Sequence, residues 1–293
     1  MMNWNNRNLR ILNITSYSFN GAIASAILQN FYTKTITLFG SYRKQDKLLE
    51  NIQERKGKVD AIIFTNFAPT ENRDAFLKIG KPILILDHHE GSEWYKGKNP
   101  DWHYSPDYSG AKMVQIFFSR YLPGLSCFKD LAEMADDFEL WKLQNPKSIH
   151  YNRLFTKTDA FEFIRRWKKS RGSLALTESE RNIISESLRD WKLYYESLSQ
   201  LELPKNGRFI TANDYLAEIS KQFTDEKVDY YLLFNPSWKS ITFRSSNPAI
   251  SCKDIMATIG EFNASSTVGI MKCEDADKAK RICKNIVKAI ENL

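Results

Sequence analysis

Four short runs rich in β-branched residues and leucine, at 9–14, 35–40, 60–66 and 81–86, alternate with segments of helical apolar spacing at 21–32, 44–56 and 70–79. Apolar runs of strand length separated by stretches of 3.6-residue periodicity build a parallel sheet, because parallel neighbours need a long crossover and a helix is the compact way to make one. The chain is therefore expected to open with a β-α-β-α-β-α-β unit, an α/β fold whose parallel sheet carries helices on both faces. In such sheets the ligand site lies beyond the carboxyl ends of the strands. Chemistry is thus expected in the loops at 15–21, 41–43, 66–70 and 87–91.

Further helical segments read at 109–121 and 129–141. Thr177 followed by Glu180 is a capping-box signature opening a long helix that reaches about 201, with Pro204, Asn206 and Gly207 beyond it. This divides the chain into a first domain over 1–176, a linker helix over 177–205 and a smaller α/β domain over 206–293. In the last, strands are expected at 208–211, 230–235 and 240–244, and helices at 252–259 and 275–293. A length of 293 residues with 42% hydrophobic content is enough for two cores.

No stretch approaches the roughly 20 apolar residues of a membrane span, and residues 1–10 lack the apolar centre of a signal peptide, so a cytoplasmic protein without a membrane partner is expected. Cys127, Cys252, Cys273 and Cys283 form no C-x-x-C pair and read as reduced thiols. The net charge of +7 draws polyanions to the surface, or is simply a solvated exterior. The same two readings apply to Arg165, Arg166, Lys168, Lys169 and Arg171 around Trp167, which form either a patch that tracks a phosphate backbone and stacks bases or a solvated helix end. They apply as well to Lys278, Lys280, Arg281, Lys284 and Lys288 on the last helix.

The sharpest local feature is Asp87-His88-His89, directly after the apolar PILIL strand. A carboxylate and two imidazoles there can hold a divalent metal or move a proton. It stands in an order of features: a strand, a helix opening G-x-x-x-S, a D-x-I-I strand, the Asp-His-His, an S-G-A helix and an A-D-D-F-E-L-W segment. This order resembles the DHH phosphoesterase superfamily, most of all its RecJ-like and oligoribonuclease-like branches. The I-T-F-R-S-S segment and the helix and loop after it are similar to the DHH-associated substrate-binding domain, so the resemblance runs from about Asn8 to Lys288.

The resemblance implies phosphodiester hydrolysis with two manganese or magnesium ions, and a position-by-position match shows what has changed. Ser16, Ser18 and Asn20 stand where the first motif carries histidine and two aspartates, and Asn66 replaces the aspartate of the second. The third motif is intact, and Asp136 is the best match to the fourth, with Asp137 and Glu139 as neighbours. Asp87, His88 and Asp136 are left to hold one manganese or magnesium ion at most, weakly or not at all. His89, Arg244, Ser245 and Ser246 are the implied substrate contacts. The glycine-rich loop is mostly replaced in GEFNASSTVG, with Ala264 where its histidine belongs.

Three functional readings follow. One is a catalytically impaired protein of DHH type, a pseudoenzyme that binds nucleic acid or nucleotide, or regulates a protein partner. Another is an active metal-dependent phosphodiesterase with a reduced, one-metal site. The last is a structural docking subunit of a replication or repair assembly.

Overall fold

The structure, a computed structural model, describes residues 2–259, 264, 265 and 267–292. By contacts the chain divides into two compact units, Met1–Ile184 and Ser185–Leu293.

The first unit is built from β1 (Arg10–Ser16), α1 (Phe19–Phe31), β2 (Lys34–Gly40), α2 (Gln45–Arg55), β3 (Ala61–Thr65), α3 (Arg73–Leu77), β4 (Ile83–Asp87) and β5 (Trp102–Tyr104). Its five strands lie in the order β2-β1-β3-β4-β5 and are parallel throughout. Alternate residues of each strand face opposite cores. Ile11, Ile63 and Leu84 pack with α1, whereas Leu12, Ile14, Phe64 and Ile85 pack with Leu48 and Ile52 of α2 and Phe76 of α3. Helix α1 is apolar on nearly every side, as a fully enclosed helix must be. It is surrounded by α4 (Gly110–Ser119), α5 (Lys129–Glu139), α6 (Pro146–Thr156) and α7 (Ala160–Ser170).

The expected strands and helices of this unit are present, one helix is shorter than expected, and α6 and β5 are additional elements. The helix expected over 70–79 is reduced to Arg73–Leu77, because Asn72 takes a left-handed φ of +50° and keeps the preceding residues out of the helix. The three-residue edge strand β5 is too short to leave a periodicity in the sequence.

Helix α8 (Glu178–Ser197) opens on the expected capping box: Thr177 Oγ1 accepts from the Glu180 amide at 3.2 Å and Glu180 Oε2 accepts from the Thr177 amide at 2.8 Å. The division between the units falls within this helix. It ends at Ser197, short of the expected 201, because Gln200–Leu203 forms β6 instead. A three-residue turn with Lys205 and Asn206 at φ of +51° and +54° folds β6 back against β7 (Gly207–Thr211).

The second unit continues with α9 (Leu216–Asp225), β8 (Tyr230–Asn235), β9 (Ser240–Ser245), α10 (Cys252–Thr258), β10 (Val268–Lys272) and α11 (Ala276–Glu291). Its sheet runs β10-β9-β8-β7-β6, with only the β7–β8 pair parallel. Helices α10 and α11 cover Leu232, Phe234, Ile241 and Phe243 on one face. Helix α9 and the aromatic end of α8 cover Ile210 and Leu233 on the other. No helix among the described residues is long and apolar enough to cross a membrane. The α/β architecture with a second, mixed-sheet unit is thus as expected.

Candidate functional site

The head of the first sheet is where the motif positions meet. Asp87 ends β4 fully buried, with one carboxylate oxygen accepting from Ser92 Oγ and the other 2.8 Å from His89 Nδ1. The two imidazoles lie close together, with ring centroids 4.2 Å apart and planes tilted by 34°. His88 has its Nδ1 4.0 Å from Asp87 Oδ1 and its Nε2 4.0 Å from Glu139 Oε1, beyond hydrogen-bond reach of both. That buried Nδ1 has no hydrogen-bond partner.

Burial, reinforced by the neighbouring His89, pushes His88 down to about 4, so its ring is neutral near pH 7. Burial acts on His89 in the same sense, but the hydrogen bond and charge of Asp87 outweigh it and hold His89 above its ordinary value. Glu139 is raised by burial, against the pull of the hydrogen bond it accepts from Asn66.

The Asn66 side chain ties these loops together. Its backbone is left-handed, with φ +51°, a conformation asparagine tolerates better than most residues. Oδ1 accepts from the Gly110 amide at 3.2 Å. A backbone N–H needs an acceptor, so this contact fixes which end of the amide is oxygen. The NH2 group accordingly faces Ser16 Oγ at 2.8 Å, Ser18 Oγ at 3.4 Å and Glu139 Oε1 at 2.9 Å. Ser18 also caps α1, accepting from the Gly21 amide at 3.0 Å.

Three of the motif positions do a second job together. The first amides of a helix lack intrahelical acceptors. At α4 the cap residue's amide, Ser109 N–H, donates to Asp136 Oδ1 at 2.6 Å. The next two, Gly110 and Ala111, donate to Asn66 Oδ1 at 3.2 Å and Asn20 Oδ1 at 2.7 Å. Gly110 is required by the close approach, since a Cβ there would sit 2.5 Å from the Asn66 backbone nitrogen. The other Asp136 oxygen pairs with Lys142 Nζ at 2.7 Å.

This donor set does not fit a pair of dications. The Asn66 group turned toward Ser16, Ser18 and Glu139 carries hydrogens, and both Asp136 oxygens are engaged by N–H donors. Among the described residues, the one group of three acidic or histidine side chains with ligand atoms within 4.8 Å of one another is Asp87, His88 and His89. Asp136 lies outside that group.

The remaining sequence-predicted residues are placed elsewhere. Arg244 and Ser245 lie on β9 and Ser246 follows them; both serine hydroxyls donate to backbone carbonyls, Ser245 to Asn247 at 2.9 Å and Ser246 to Val228 at 2.6 Å. Ala264 pairs with Gly269 as an isolated bridge, while 260–263 and 266 of the replaced glycine loop lie outside the described residues. The basic patch on α7 needs correction. Trp167 is fully buried in the core and cannot stack on bases. Arg166 grips Glu180 with two nitrogens, at 2.6 and 3.1 Å, and also donates to the Ala175 carbonyl. Of the cluster, Arg165 and Lys169 are exposed and Lys168 half-buried. Ser92 and Lys142 carry no motif, and Ser109 reads in the sequence only as the start of the S-G-A helix; their partnership with the acidic residues becomes visible only once the loops are in place.

No family model matches the chain, and no curated protein matches it. Solved structures do. One is a pGpG-specific phosphodiesterase, PggH, from Vibrio cholerae, with a TM-score of 0.61 and 11% identity over 96% of this chain and 99% of that one. Another is the DHH domain of a member of a family of ribosomal proteins, with a TM-score of 0.57 and 12% identity over 97% of this chain and 87% of that one. An exopolyphosphatase-related protein from Bacteroides fragilis aligns with a TM-score of 0.55 and 14% identity over 99% of this chain and 94% of that one. Because these alignments run through both units and not the first sheet alone, the chain has the fold of the DHH phosphoesterase superfamily over its whole length.

Proposed function

We propose that this chain is a catalytically impaired phosphoesterase-like protein that uses the DHH fold to bind a nucleotide or short nucleic acid, or to regulate a partner. The observation that carries the reading is Asn66. It stands at a position where the resemblance calls for a metal-binding carboxylate, and its amide instead donates to Ser16 and Glu139 and accepts from the start of α4. Hydrogen bonds do here what metal coordination would otherwise do, holding three loops in register without an ion. The ligand class is suggested by a structural neighbour whose substrate is the dinucleotide pGpG. The net charge of +7 favours such an anion.

A second reading, an active one-metal phosphodiesterase, is favoured by the intact Asp87-His88-His89 group and by the unpartnered nitrogen of His88, which is free to take an ion. Asp87, His88 and His89 would hold a single weakly bound manganese or magnesium ion, which would supply Lewis acidity. One experiment separates the two. The purified protein is titrated with manganese by calorimetry, then incubated with pGpG with and without the metal. The proposal expects weak metal binding or none, no cleavage, and a thermal stabilisation by pGpG that reaches about 2.7 kcal/mol at one hundred times its dissociation constant. Stoichiometric manganese together with cleavage that vanishes in Asp87→Ala would overturn it in favour of the active enzyme.

A further inference from the structure

The second unit carries a groove of about 880 Å³ that the candidate site does not use. Its floor is the face of the sheet at the β6 edge, where Leu201, Leu203 and Phe209 point the same way, and its wall is α11. Helices α10 and α11 cover that face over β8 and β9, while over β6 and β7 the layer stops and Leu201 is left 57% exposed. A two-layer unit normally hides such a face under a helix.

The wall has a pattern of charge. Lys280, Lys284 and Lys288 line the groove at four-residue intervals along α11, exposed and with no carboxylate partner among the described residues. With a rise of about 1.5 Å per residue they form a cationic stripe about 12 Å long. Glu291 closes one end of the groove and is the one acidic side chain lining it. Val287 and Cys283 supply apolar surface between the lysines and the floor.

We infer that this groove is a docking site for an acidic amphipathic helix of a partner protein, its leucine-type face laid on Leu201, Leu203 and Phe209 and its carboxylates against Lys280, Lys284 and Lys288. A helix beside α11 at the usual 8–10 Å spacing would complete the layer. An extended peptide added to the free edge of β6 would instead lengthen the sheet and leave its floor uncovered. Like charges on the wall reject a basic helix of the same apolar face, so the stripe confers selectivity as well as attraction.

The test uses the full chain and two fluorescein-labelled helical peptides of the 16-residue length of α11, identical in their leucine face but flanked by glutamate in one and lysine in the other. Fluorescence anisotropy is expected to show the acidic peptide binding at least tenfold more tightly, with an affinity that falls as salt is raised. The combined Lys280→Glu, Lys284→Glu and Lys288→Glu variant should lose that tenfold preference, and Leu201→Asp should weaken the acidic peptide about as much. Lys253→Glu, on exposed α10 surface, should change nothing, and circular dichroism reports whether each variant is folded. Equal binding of the two peptides, or an acidic peptide indifferent to both the charge-reversed and the Leu201→Asp variants, overturns the proposal. So does a concentration-dependent dimer in sedimentation that the charge reversal abolishes, since the occupant would then be a second copy of this chain.

Discussion

Placing a carboxylate at position 66 should make the protein less stable, in a way that depends on pH. In Asn66→Asp one oxygen can keep the Gly110 amide, but the other replaces a donor that now lies 2.9 Å from Glu139 Oε1. Two ionised oxygens at that distance repel by about 6 kcal/mol at an effective dielectric constant of about 20. The carboxyl pair relieves this by keeping a proton, and each unit of raised pKa is worth about 1.4 kcal/mol. Glu139 is already raised by its burial, so the variant starts part of the way there. A group whose folded pKa is raised adds stability that is complete below its unfolded value and lost as pH rises through the folded one. Urea unfolding followed by tryptophan fluorescence should therefore show Asn66→Asp weaker than the parent by roughly 2–4 kcal/mol at pH 8 and by under about 1 kcal/mol at pH 5. Adding Glu139→Gln should return most of the loss at pH 8, because the amide can donate where the carboxylate repelled. A variant as stable as the parent at pH 8, or one whose deficit is the same at both pH values, would refute the electrostatic account of Asn66.

His88, pushed down to about 4 by burial, works in the opposite sense: its contribution is present above the unfolded value near 6.5 and is lost as pH falls through the folded one. His88→Gln should flatten the acid limb of a stability profile between pH 6.5 and 4, where the parent loses roughly 2–3 kcal/mol through this group. Truncating the fully buried Trp167 to alanine should cost about 3–5 kcal/mol in the same unfolding assay. The exposed Lys169→Ala should stay within about 0.5 kcal/mol, so that any loss of nucleic-acid binding on Trp167→Ala tracks unfolding rather than lost stacking. Arg166→Ala leaves Glu180 partly buried without its two-nitrogen partner and should cost about 2–3 kcal/mol by chemical denaturation.

The fold was legible because its determinants are local. Strand runs such as 60–66 and 81–86 are apolar on both faces, and the Thr177/Glu180 box announces α8 within four residues. What escaped depended on pairing across the chain. Gln200–Leu203 continues the spacing of the helix before it and becomes a strand only because β7 lies alongside. The basic run on α7 shows the same limit: charge and aromaticity are visible in sequence, but Trp167 turns inward and Arg166 meets an acid fourteen residues away. At the candidate site the polar positions were readable one by one. Their cooperation was not, since Asn20, Asn66 and Asp136 come from three distant segments and converge on amides whose acceptors no local pattern specifies.

That convergence bears on how the head of the sheet breathes. Amides in the first turn of a helix usually exchange with solvent hydrogen quickly, since nothing but water holds them. Those of Ser109, Gly110 and Ala111 are buried and bonded to side chains anchored in α1, the end of β3 and α5. Deuterium can reach them only when those anchors let go together, so the start of α4 should exchange at the pace of the unit's rare large openings rather than of local fraying.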